Sequence, residues 1–462
     1  MTTTTIVPAI DATSAFASKP GFAAWRRKVK STHGCAAPVK LRGTSSVTHR
    51  GTGAVLRETA GSVWVPCGTR REALCQPCSR WYAQDAFHLI RAGLCGDASK
   101  GIDAGVAERP RWFVTLTPPS FGAVHSRITG PGGRLRRPCA CGEWHSEHDT
   151  RLGGAVDPDV YDYTAAVLWQ AHAGALWHRF TIALKRELAR LAGVRVRDLA
   201  SAVRLSYSKV AEYQRRGLVH FHAAIRLDGP EGAASAPPAW ATKEALAVAI
   251  RAAGRSASVE TVRPDGSVLE LAFGPQLDIR DITGTTDTDA GTRTDAGEGG
   301  SGRVGAERVA SYVAKYATKS TGAHDGPDRR VRSLDEIEAL TVSAHHKAMM
   351  RTAWHLGGLG QYGELNLRKW AHMLGFRGHF LTKSRMWSTT LTELRAIRSR
   401  FRLAEVLAEL DVSEDEVIVV NDWEAVGFGH DSDAERELVE AIAETMIQQR
   451  LSQRDSRKVG RQ

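Results

Sequence analysis

The 462-residue chain is 42% hydrophobic and 24% charged, with enough apolar side chain for two to four cores. Lys and Arg outnumber Asp and Glu by 62 to 51, unevenly: residues 404–447 hold fourteen acidic side chains and one basic, so the 403 residues before them carry +20 and suggest a polyanionic partner. No run of about eighteen apolar residues occurs, and the first twenty residues lack the basic start and apolar stretch of a secretory leader, so the reading is a cytoplasmic protein without membrane association.

In such a reducing compartment seven cysteines, an odd number, read as metal ligands rather than disulfides. Residues 1–110 hold five of them. Cys35, Cys67 and the Cys75-x-x-Cys78 knuckle make a four-thiolate set for a structural Zn2+, whereas Cys95 stands apart. The stretch RWFVTLTPPS (111–120) predicts a buried strand stopped by two prolines. An insertion over 118–160 carries CACGEWHSEH, in which Cys139, Cys141, His145 and His148 form a candidate second zinc set.

Residues 161–192 predict an amphipathic helix, with Trp177, Phe180, Leu184, Leu188 and Leu191 at steps of three and four. VRLSYSKVAEY and LVHFHAAIRL flank QRRG and predict a β-hairpin, whose tip arginines Arg215 and Arg216 either grip phosphates or form a solvated turn. A second hairpin turns at Pro264-Asp265-Gly266, and QLDIRDI is a further strand. Residues 283–302, rich in Thr, Asp and Gly, predict a flexible linker, and AERVASYVAKYATKS a helix. Residues 326–403 form a basic, helical region. Within it LRKWAHMLGFRGHFLTKSR reads either as a helix-turn-helix-like DNA reader or as a packed helical domain with a basic surface. Residues 404–462 are an acidic tail with a basic end. The order of elements predicts an α+β domain over 111–325, an antiparallel sheet with helices packed on it.

The chemistry concentrates in two places. His220 and His222 are two apart on a predicted strand, so both face one side and can give two imidazole nitrogens to one divalent ion, Mn2+ or Mg2+. Glu212 on the preceding strand completes the set if the loop has five residues; a four-residue loop turns it away. The helix repeats Tyr-x-x-Lys as Tyr312, Lys315, Tyr316 and Lys319. The tyrosines share one helical face, as a core-facing aromatic stripe also would. A tyrosine can attack a phosphate, a metal can polarise it, and a lysine can offset the developing charge.

A His-hydrophobic-His pair followed by a tyrosine-bearing helix resembles the HUH endonucleases. FVTLT (113–117) looks like their first motif strand, and the doubled Tyr-x-x-Lys is similar to two-tyrosine rolling-circle initiators. CGTRREALCQPCSRWYAQD, FVTLTPPSFGAVHS, YDYTAAVLWQAHA, KVAEYQRRGLVHFHAAIRLDG and WAHMLGFRGHFLTKSR occur in the same order as in the RepSA-type replication initiators of actinobacterial plasmids and integrative conjugative elements. The resemblance implies an HUH fold and a tyrosine that nicks one origin strand and keeps the 5′-phosphate. The free 3′-OH then primes synthesis. The chain has no G-x-x-x-x-G-K-[ST] motif, so a separate host helicase and DNA polymerase are implied. Two rivals are a conjugative relaxase, which usually places its tyrosine first and uses three histidines, and a non-catalytic, zinc-containing DNA-binding regulator.

Overall fold

The computed structural model describes residues 12–130, 133–283, 303–318 and 329–459. The chain divides into two units, Met1–Gln84 with Thr392–Gln462, and Asp85–Leu391. Among the described residues no helix is long and apolar enough to cross a membrane.

In the first unit an antiparallel sheet has Val39–His49 at its centre, between Val55–Val65 and Val417–Phe428. Val47, Leu407 and Val417 are buried together beneath it. The acidic segment therefore contributes a paired strand to the N-terminal region and is not a separate tail. Composition set it apart, but the VIVV run that opens its strand has the β propensity that counts. The boundaries drawn at 110 and 404 on composition differ from this division.

In the second unit the strands are β1 (Arg111–Leu116), β2 (Arg204–Tyr213), β3 (Val219–Asp228), β4 (Leu277–Thr283), β5 (Arg303–Gly305) and β6 (Leu381–Lys383). They form one mixed sheet in the order β5-β4-β1-β3-β2-β6, antiparallel except for the β4–β5 pair. The helices that concern the site are α1 (Tyr163–Ala192), α2 (Lys243–Ser256) and α3 (Ala306–Thr318). The architecture is the α+β arrangement expected, though 284–302, all but the first residue of the expected linker, lie outside the described residues.

Asp162 caps α1 by accepting from Ala165 N at 2.8 Å, and Gly193 ends it in the left-handed region. Trp177, Phe180, Leu184 and Leu188 are buried along it as their periodicity predicts, whereas Leu191, in its last turn, is exposed. Buried Gln170 ties α1 to the hairpin: its amide donates to Gly217 O at 2.9 Å and accepts from Val219 N at 2.9 Å. Gly217 has φ +73°, and a Cβ there would lie 2.7 Å from Leu374 Cδ1, so only glycine suits that turn.

The stretch 367–385 is no helix-turn-helix. It consists of short turns followed by β6, which pairs with β2. Leu367, Ala371, Leu374, Phe376 and Phe380 are all buried, a demand that one helical face does not meet. Tyr213 also donates to Met373 O at 2.7 Å, binding this stretch to the hairpin.

Candidate metal and nucleophile site

The alternation of β3 divides its side chains. Val219, Phe221, Ala223, Ile225 and Leu227 join the main core, and His220, His222, Ala224, Arg226 and Asp228 face the other way. Tyr213 pairs with Val219 across a five-residue loop, so Glu212 stands opposite His220. On that face Glu212 Oε2 lies 3.2 Å from His220 Nε2 and 2.9 Å from His222 Nε2, and the two ring nitrogens are 2.9 Å apart. On the neighbouring β1, Thr115 is in register with His222, and its Oγ1 lies 3.0 Å from His222 Nδ1. That bond orients the ring with Nε2 toward the cluster. Phe113 stacks against the same ring, the planes within 8°.

Burial lowers His222 to about 4, so its imidazole is neutral at physiological pH. Burial opposes the charge on Glu212, but hydrogen bonds from His220 and His222 hold its carboxyl well below the usual range.

Helix α3 buries Val309, Ala310, Val313, Ala314 and Ala317, small residues that let it lie close. Its tyrosines stand beside this stripe. Tyr312 donates its hydroxyl to Glu212 Oε2 at 2.8 Å and lies 3.0 Å from His222 Nε2. The Tyr316 ring lies 4.6 Å from the Tyr312 ring, tilted 53° to it, and stacks 6.4 Å from the His222 ring. Burial, then the Glu212 carboxylate, pushes the Tyr312 phenol up. Lys315 is exposed, with Nζ 5.6 Å from the Tyr316 ring centre. Lys319 lies outside the described residues.

Sequence reasoning did not single out Thr115, Phe113 or Arg280. Arg280 is in register with Phe113 on β4, is held by Asp278 at 2.6 Å, and adds to the positive field at His222. Alternation along FVTLT was the available signal for the first two. The tip arginines divide: Arg216 is turned inward, donating to Pro118 O and Pro119 O at 2.9 Å each, whereas Arg215 is exposed.

The first unit brings Cys35, Cys67, Cys75 and Cys78 together, their sulfurs all within 4.8 Å of one another. Cys67 N donates to Cys35 Sγ at 3.2 Å and Ala36 N to Cys75 Sγ at 3.3 Å, bonds that favour thiolates. Four thiolates in this geometry suit a structural Zn2+. Cys95 stands apart from both metal-ligand clusters, half-buried at a helix end. The second set differs from the expected one. Cys139, Cys141 and His145 are gathered with His125, while the His148 side chain is 89% exposed and turned to Glu147. Residue spacing favoured His148; the fold brings His125 in from an earlier loop.

The model of the RepSA family, described as a replication initiator protein of pSAM2, matches residues 21–444. A replication initiator protein of Streptomyces ambofaciens is 42% identical over 452 residues, covering 95% of this chain and 94% of that protein. No solved structure matches. With a match over nearly its whole length, this chain belongs to the RepSA family of replication initiator proteins.

Proposed function

We propose that this initiator starts rolling-circle replication by nicking one strand of its origin DNA. It acts as a metal-dependent endonuclease and strand transferase of the HUH kind, with Tyr312 as nucleophile. The observation that carries this reading is the Tyr312 hydroxyl, within hydrogen-bonding reach of both Glu212 and His222. The order of histidines before tyrosines favours an initiator over a relaxase.

Glu212, His220 and His222 fit a Mn2+ or Mg2+ ion: one carboxylate and two imidazoles converge, and Thr115 fixes one ring from behind. When bound, the ion supplies Lewis-acid stabilisation to the scissile phosphate. The chain's own residues do the rest. The raised Tyr312 phenol keeps its proton until attack, and its hydrogen bond to Glu212 Oε2 at 2.8 Å holds its oxygen beside the metal ligands; the phenol proton passes to solvent as the tyrosine–phosphate bond forms. Attack forms the tyrosine–phosphate bond and breaks the bond to the 3′ oxygen, which takes up a proton and becomes the primer. One phosphodiester replaces another, so no nucleotide is hydrolysed. The Tyr316 ring, 4.6 Å away, suits a second nucleophile that receives the strand when the circle closes, and Lys315 offers a nearby cation. Zn2+ at the four cysteines is structural. Strand opening and synthesis fall to a host helicase and polymerase.

The test incubates the full chain with single-stranded origin fragments and Mn2+, then maps any covalent adduct. DNA should be found on the 306–318 helix and lost in Tyr312→Phe/Tyr316→Phe. An adduct on Tyr207 or Tyr213, or full nicking in chelator, overturns the reading.

A further inference from the structure

We infer that the loop between β1 and α1 folds around a second structural zinc ion held by His125, Cys139, Cys141 and His145, and that this ion holds the loop against the tip of the β2–β3 hairpin. The four donor atoms lie within 4.8 Å of one another. His145 Nε2 is 3.2 Å from His125 Nδ1 and 3.3 Å from Cys141 Sγ. Its other nitrogen, Nδ1, is 2.7 Å from Asp149 Oδ2, and Asp149 is held in turn by Arg151. A carboxylate behind an imidazole whose far nitrogen meets a thiol and a second imidazole is the usual outer partner of a zinc-bound histidine. Cys139 sits in a tight turn, with Gly142 N donating to its carbonyl at 2.9 Å and Ser126 N to its sulfur at 3.4 Å.

Besides the ligand set, the loop has Phe121, Val124 and Ala155 packed against the main core, all three only partly buried. Among the described residues from 119 to 160, only Cys139, His145 and Gly153 are buried, and two of these are ligands of the set. A segment this size without an apolar core of its own gains from a staple. Two Cys and two His close a tetrahedral site in a reducing compartment.

The same ligands reach the hairpin. His125 exchanges backbone hydrogen bonds of 2.8 Å with Gly153 and Gly154. Gly153 has φ +87°, and a Cβ on it would lie 2.5 Å from the Arg215 carbonyl. Arg215 Nη1 also approaches Glu147 O at 3.4 Å. The ion thus fastens the wall beside the loop that joins Glu212 to His220.

The experiment counts zinc per chain in the full-length protein, as a difference from wild type, so that occupancy of the four-cysteine site cancels. His125→Ala should lose one equivalent, and His148→Ala none. His125→Cys, which keeps a ligand, should hold the equivalent lost by His125→Ala. Proteolysis within 126–152 should rise in His125→Ala alone. Unchanged zinc in His125→Ala, or equal loss in His148→Ala, overturns the assignment. Neither readout depends on nicking, so failure of the proposed reaction leaves this result interpretable.

Discussion

The two faces of the β2–β3 hairpin are cut from the same stretch of chain and obey opposite rules. One face, with Val219, Phe221, Ala223, Ile225 and Leu227, packs with Trp177 and Phe180 of α1. The other carries Glu212, His220 and His222 at one end and a closed charge cluster at the other. There Arg226 and Asp228, both fully buried, pair at 2.7 Å, Arg109 joins Asp228 at 2.6 Å, and Ser206 donates to Asp228 at 2.5 Å. The apolar face supplies stability without placing any reacting group. The polar face places the groups proposed to react on strands that already have a fixed register, which is why the Tyr312 hydroxyl and the Glu212, His220 and His222 donors converge within hydrogen-bond distance.

The sharpest way to separate the faces is to truncate neighbours. His222→Ala should abolish adduct formation, a loss of at least about 1,000-fold, while costing only about 1 kcal/mol of stability. Phe221→Ala, one residue earlier, should cost about 3–5 kcal/mol in chemical denaturation, with nicking per folded molecule largely kept. If both variants lose stability equally, the division of labour is wrong. The polar face also has a structural end. Asp228→Ala leaves Arg226 and Arg109 buried without their carboxylate and should cost about 3–5 kcal/mol. The double replacement Arg226→Met/Asp228→Leu should recover part of that cost; a double variant weaker than Asp228→Ala would argue that the cluster itself stabilises the sheet.

Much of this hairpin was legible in advance, because alternation and periodicity are local. The strand before the two prolines, the hairpin, and the tyrosine helix follow from spacing alone. What spacing left open, register decided: Glu212 turns on whether a loop has four or five residues, and Gln170 on α1 fixes that by bonding to Gly217 and Val219. Contacts distant in sequence were not legible. His125 lies near Cys139 with its backbone paired to Gly153 and Gly154, and Val417–Phe428 reaches Val39–His49 from the opposite end of the chain. The 367–385 stretch has helix-like spacing, yet burial of its apolar residues on several sides forces turns.

One residue breaks the rule of the apolar face. Lys209 is in register with Ala223, so it points into the core, 4% exposed, with Nζ 4.1 Å from the Phe221 ring centre and 5.4 Å from that of Trp177. Ring faces attract the ammonium but do not replace its water, and burial lowers the group to about 7. In the unfolded chain the lysine keeps its ordinary value near 10.4. Between about pH 7 and pH 10 the unfolded state therefore binds a proton that the folded state lacks, and stability rises with pH across that window. Below pH 7 both states are protonated and the full cost of the buried charge remains. Lys209→Met keeps the length of the side chain and removes the charge. It should stabilise the protein by roughly 4 kcal/mol at pH 7 and by under about 1 kcal/mol at pH 10. Urea denaturation of both proteins at the two pH values measures this directly, since all other titrations are shared and cancel in the difference. A gain independent of pH would mean that the ammonium reaches water through the strand edge and that the apolar face has no exception.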